Sequence, residues 1–356
     1  MNTTSIYSAA QTTESANKII AAWLFILCGM VFVMVILGGL TRLTHSGLSM
    51  VDWRPITGWL PPLNPGEWQA VFELYQESPE FKKVNADMTV EGFKSIFWLE
   101  FIHRLWGRSM GLVFFLPFVF FLIKGWVTRP LIPRLILIFL LGGLQGVLGW
   151  YMVKSGLIDN PDVSQYRLTA HFSAAVVIYG YMFWVALSLM KPLHGAVLHA
   201  PSLLAKATVF CAFWIFITMM SGGFVAGLDA GLTYNTFPLM DGQVVPNGLA
   251  TLSPWYLNLF ENITTVQFDH RVLAETTLLL IIGLWFAALK SDLPVAVRQA
   301  FHALMVMGLV QVTLGAITLL YVVPVSVAAL HQAGALVLLT FALWAVHSLI
   351  GKPYLS

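Results

Sequence analysis

Eight long apolar runs, at about 19–40, 96–123, 131–153, 168–190, 203–227, 267–289, 298–320 and 325–349, decide what this chain can become. A helix of roughly 20 residues crosses a hydrocarbon core. No water is available there to pair backbone groups, so a spanning segment satisfies its own N–H and C=O by coiling. Charged residues make up 10% of the chain, against about 25% in soluble domains. The expected fold is therefore all-α and integral to the membrane, with eight transmembrane helices. The formal net charge of +2 says little about partners, and no nucleic-acid partner is expected.

Two segments between the runs are long: Thr41 to Ser95, rich in Pro, Trp and acidic residues, and Leu228 to Val266. Structureless loops of this length are uncommon, so both are expected to pack on the membrane surface as lids, the first loop having a plain connector as its alternative. The polar residues 1–18 and the absence of a small-x-small site argue against a removable signal peptide. Placing the N-terminus inside gathers Lys18, Lys124, Arg129, Arg134, Lys191, Lys206, Lys290, Arg298 and Lys352 on one side. The positive-inside rule then puts both termini in the cytoplasm (or matrix) and both long loops outside. Cys28 and Cys211 fall within spans and read as core thiols, with no CxxC motif.

The chain also repeats itself. "EFIHR" at Glu100 returns as "QFDHR" at Gln267, "LQGVLG" at Leu144 as "VQVTLG" at Val310, and "LTAHFSAAVVI" at Leu168 as "AALHQAGALVL" at Ala328. A looser echo joins the glycine pair at Gly38 to that at Gly222. Four spans per copy is an even number, so the halves enter the membrane the same way. Two tandem, parallel four-helix bundles are expected, residues 1–195 and 196–356.

His103, His171, His270 and His331 recur near the starts of the even-numbered spans, two per half. Facing side chains in a bundle core build cofactor sites, and two imidazoles on opposite sides of a flat ring suit haem iron. Two histidines and a carboxylate or two fall short of the usual zinc set. A hydrogen-bonded packing role is the alternative for any single one of them. Arg104, Arg108 and Arg271 are candidates to bind haem propionates, or else snorkel to headgroups. Gln145 and Gln311, deep in apolar helices, are expected to hydrogen-bond between helices rather than touch a cofactor. His45, His194, His199, His302 and His347 are expected to be interfacial or solvated.

Glu100 lies three residues before His103, on the same helix face, and its counterpart Gln267 has no useful basicity. An ionisable group inside a membrane is a functional suspect. The first site is therefore expected to carry proton-coupled chemistry through Glu100, and the second to hold a resident haem that passes electrons. An ion pair of Glu100 with Arg104 or Arg108 is the alternative, and the two are compatible.

The stretches "EFIHRLWGR", "THSGLSMVDWRPITGWLPP", "GGFVAGLDAGLTYNTFPLMDG" and "FDHR" resemble haem A synthase of the alphaproteobacterial and mitochondrial type, over essentially the whole chain. The resemblance implies oxidation of the C8 methyl of haem o to the formyl of haem a for cytochrome oxidase. It implies His103 and His171 at the substrate haem, Glu100 as the essential glutamate, and His270 and His331 on a haem b. It further implies a bacterial inner-membrane location, an electron donor or acceptor, contact with the farnesyltransferase that makes haem o, and room for a homo-oligomer. The family's loop cysteine pair found in some bacteria is missing. A diheme b-type electron-transfer protein and a haem transporter are the rival readings.

Overall fold

The computed structural model describes residues 3–54, 57–157, 161, 163–190 and 202–350, with side chains from residue 14 to 190 and from 203 onward within those ranges. Helices form where the apolar runs stand. Eight are long and apolar enough to cross a membrane: α1 (Thr3–Leu43), α4 (Val90–Ile123), α5 (Ile132–Gly156), α6 (Gln165–Leu189), α7 (Ser202–Gly227), α9 (Ile263–Lys290), α10 (Val295–Leu320) and α11 (Val325–Ile350). Three short helices, α2 (Pro65–Gln76), α3 (Pro79–Lys83) and α8 (Asn258–Glu261), sit in the two long loops. No strand occurs among the described residues.

α1, α4, α5 and α6 pack around one another, and α7, α9, α10 and α11 do the same. The two sets meet where α1 runs along α11 and α6 along α7 and α11. Polar contacts mark this seam: the Tyr179 hydroxyl lies 2.7 Å from Thr340 Oγ1, and Gln332 Nε2 donates to the Val35 carbonyl at 3.0 Å. Gly39 permits the second contact, because any Cβ there would collide with the Gln332 amide. α1, α6 and α11 are the most buried helices, while α5 and α10 turn most of their surface outward. The expected boundary at residues 195 and 196 lies outside the described residues, as do His194 and His199.

α4 starts at Val90, with Thr89 Oγ1 capping the Gly92 N–H, a turn and a half ahead of the expected 96. The added turns lift α4 into the first loop, which folds back on it. Phe72, Tyr75, Phe93, Phe97 and Phe101 bury one another there, with the Tyr75 and Phe93 rings stacked 5.0 Å apart. This loop is thus a folded lid with its own aromatic core, worth about 1.5–3 kcal/mol for each large side chain it buries.

Both cysteines are free and buried. His347 departs from expectation: it is buried between α6 and α11, 3.2 Å from the Ser188 hydroxyl and edge-on to Trp184. Buried in the seam, the imidazole takes the Ser188 hydroxyl as its partner. His302 accepts from Trp285 Nε1 at 2.9 Å, and His45 is exposed beside Arg42.

Candidate functional site

His103 (α4), His171 (α6), His270 (α9) and His331 (α11) each lie against a glycine of a neighbouring helix. A Cβ built on Gly38 of α1 would come within 3.3 Å of the His103 ring, on Gly149 of α5 within 3.5 Å of His171, on Gly222 of α7 within 3.1 Å of His270, and on Gly315 of α10 within 3.0 Å of His331. The four glycines are themselves repeat partners, 38 with 222 and 149 with 315. Bare backbone is what admits a ring so close.

The His270 and His331 rings face each other with centroids 6.5 Å apart and planes at 86°. A metal binds imidazole nitrogen at about 2 Å, so two rings on opposite sides of one ion place their centroids about 6 Å apart. The spacing fits an axial pair. His103 and His171 are near enough to interact electrostatically but make no such ring contact.

The ring nitrogens are held by side chains from other helices. Ser221 Oγ donates to the Thr218 carbonyl at 2.8 Å, so its lone pair accepts the Nδ1–H of His270 at 2.7 Å. That fixes the tautomer with Nε2 free to bind a metal. Gln311 Nε2 donates to the His331 carbonyl at 2.8 Å and lies 3.1 Å from its Nδ1. Gln145, with its amide turned to satisfy its neighbours, repeats this with the His171 carbonyl at 3.2 Å and Nδ1 at 2.9 Å. The expected helix-to-helix bonding of both glutamines holds, and its partners are the site histidines themselves.

Glu100 and Arg104, both buried, clamp the strap that leaves α1. Glu100 Oε2 accepts from Ser49 Oγ (2.7 Å) and the Met50 N–H (2.8 Å), and its Oε1 pairs with Arg104. Arg104 donates onward to the Met50 carbonyl (2.9 Å) and the Asp52 carbonyl (3.1 Å), with its guanidinium over the Trp53 ring. In the other half Gln267 accepts from the Tyr234 N–H (3.2 Å) and donates to its carbonyl (3.0 Å), while Arg271 donates to the carbonyls of Tyr234 and Thr236, both at 2.7 Å. The backbone geometry is the same and the charge inside the clamp differs: Arg104 is paired directly with the Glu100 carboxylate, whereas the equivalent place is the Gln267 amide and Arg271 meets the charges of Glu275 and Asp241 only beyond pairing distance. Arg108 donates to the Arg54 carbonyl at 2.7 Å, and its repeat partner is Glu275.

A second carboxyl stands near the first site. Glu80, in the lid and buried, lies near the Tyr75 hydroxyl, whose oxygen accepts from Asn85 Nδ2 at 2.8 Å. Burial, reinforced by the charge of Glu100, pushes Glu80 up to about 7. Sequence reasoning singled out the histidines, arginines, glutamines and Glu100, but passed over Ser221, Glu80 and the four glycine seats. Aligning the glycine pairs at 38 and 222 would have exposed Ser221, which stands where the other half has Leu37.

Residues 21–343 match the family model described as cytochrome oxidase assembly protein. The chain is 54% identical to "Heme A synthase" of Nitrosospira multiformis over 94% of both chains. Identity is 50% with "Heme A synthase" of Paramagnetospirillum magneticum, over 96% of this chain and 97% of that one. It is 46% with "Heme A synthase COX15" of Homo sapiens, over 96% of this chain and 85% of the human one. With that coverage and that identity, the chain belongs to the cytochrome oxidase assembly protein family in which these heme A synthases stand.

Proposed function

We propose that this protein is a haem A synthase, an oxidoreductase that converts the C8 methyl of haem o to the formyl of haem a, with the two helix sets (residues 1–195 and 196–356) as substrate half and haem b half. The observation that carries the division is the pair of equivalent clamps, alike in hydrogen bonding and unlike in charge. His270 and His331 would hold haem b, which would supply one-electron transfer when bound. His103 and His171 are the ligands of the substrate haem o. Two successive hydroxylations of the methyl, each a two-electron oxidation supplied from outside the chain by water with an electron acceptor or by dioxygen with an electron donor, give an alcohol and then a geminal diol, which loses water to the aldehyde.

Glu100 serves this chemistry as a fixed negative charge beside the first site. Both of its oxygens are held by donors, so it stays in place as positive charge develops at the methyl carbon, and such preorganised charge lowers a barrier without reorganising. Arg104 and Arg271, each next in sequence to its histidine, and Arg108 are the cations for the propionates. The protein sits in the bacterial inner membrane with both termini cytoplasmic, and its partners are the farnesyltransferase that makes haem o, an electron donor or acceptor, and further copies of itself.

Glu100→Gln tests this reading cleanly, because Gln267 shows that an amide keeps the same clamp on its strap. Haems extracted from cells making the variant should contain haem b and lack haem a. Undiminished haem a would remove Glu100 from the chemistry, and a wild-type protein that never accumulates haem o, hydroxylated haem or haem a would favour the diheme electron carrier.

A further inference from the structure

We infer that Ser221 and Leu37 set how long each haem stays: Ser221 locks His270 as a permanent axial ligand, and Leu37 leaves His103 as the ligand that lets go. The inference deepens the proposed function and rests on its assignment of a substrate haem to the first half.

The repeat supplies an internal control. His171 and His331 are tethered alike, by Gln145 and Gln311. His270 is tethered by Ser221, whose own proton goes to the Thr218 carbonyl. Leu37 occupies the equivalent position before Gly38 and has no atom that can accept a hydrogen bond. Among the described residues no hydrogen bond reaches either nitrogen of His103.

The ring answers this lack of restraint in its orientation. His270 turns Cε1 toward the glycine of α7, with Nδ1 beside it for Ser221, whereas His103 turns its Nε2 and Cδ2 edge toward the glycine of α1. A ring free to turn loses little when its metal leaves. Groups that orient a metal-bound histidine change metal affinity by about 10–100-fold. A site whose haem is substrate must release product each turnover, and a site whose haem is resident must not. The placement of one hydroxyl matches both needs.

The test uses purified full-length protein loaded with haemin, with loss to excess apomyoglobin followed by absorbance. Wild type should lose haem in a fast and a slow phase, and His171→Ala should abolish the fast one. Leu37→Ser should slow the fast phase by about tenfold or more, and Ser221→Ala should speed the slow phase by a similar factor. Ser221→Thr, which keeps the acceptor, should leave the slow phase as it was, a rescue that loss of packing alone would not give. A fast phase lost in His171→Ala yet unmoved by Leu37→Ser, or a slow phase unmoved by Ser221→Ala, would overturn the inference. A fast phase that survives His171→Ala would overturn the assignment of the first site instead.

Discussion

Gly308 of α10 packs on Ile281 of α9, where a Cβ would lie 3.2 Å from Cδ1, whereas its repeat partner Gly142 of α5 faces open space. The contrast runs the length of these helices. α10 lies along α9 and α11 much more closely than α5 lies along α4 and α6, and the imidazoles meet in the second set but not in the first. The same four-helix plan has been drawn tight in one copy and left loose in the other. Since hydrophobic attraction does not pull helices together in lipid, packing of small residues and interhelical hydrogen bonds set the fit. The tight copy has Gly308 against Ile281 and Ser221 against His270. The loose copy has glycines at 142, 143 and 146 with no neighbour. A bundle that must admit and discharge a large flat substrate gains from slack that would harm one holding its haem for good.

The sharpest way to break the comparison is at the two arginines. Arg104→Met strands the buried Glu100, which should cost about 3–5 kcal/mol, while Arg271→Met leaves backbone carbonyls without a donor, no carboxylate among the described residues being paired with it within salt-bridge distance, and should cost about 1–3 kcal/mol. Limited proteolysis of the two straps in detergent measures both, and equal losses would mean that the charge difference between the clamps is immaterial. Next is the lid. Glu80, raised to about 7 in the fold from an ordinary 4.5, binds its proton more tightly folded than unfolded. Lid stability should therefore fall as pH rises from about 4.5 to about 7 and remain lowered above that. Its neighbours there are the Tyr75 hydroxyl and Glu100. Glu80→Gln should abolish this dependence and slow amide exchange in α2 and α3 at pH 8, by about 3 kcal/mol at most, with little change at pH 4. The smallest effect expected is Gly315→Ala, which crowds His331 by a few tenths of an ångström and should cost about 1 kcal/mol of stability, with partial loss of the haem proposed for that half. Gly149→Ala, at ordinary contact distance from His171, should be close to neutral. Identical responses from the two alanine variants would contradict the difference in tightness.

Much of this was legible before any coordinates. The spans were, because in lipid a long apolar run has one satisfactory conformation, and seven of the eight helices begin within six residues of the expected starts, α1 beginning earlier at Thr3. The histidine and glutamine pairs were legible through the repeat. The Glu100–Arg104 ion pair, weighed from the sequence as compatible with a role in chemistry, is present; the rest of the two clamps was not legible. Apart from Ser49 and Trp53, the other partners are backbone groups of Met50, Asp52, Tyr234 and Thr236, and a backbone N–H or C=O carries no letter to read. Ser221 was hidden for a different reason: its partner His270 is 49 residues away, and a serine before two glycines reads as a helix-packing motif. Glu80 looked like one more loop carboxylate, since burial beneath an aromatic lid is a tertiary fact.

The clamps have one further consequence. Because Gln267, Arg271 and, apart from Ser49 and Trp53, Glu100 and Arg104 grip main-chain atoms of the straps, much of the outer face can change its side chains without loosening the floor beneath it. One letter is barred. Proline at position 50 or 234 would bring no N–H to its acceptor, so a main-chain atom bars that residue whatever its side chain would have done.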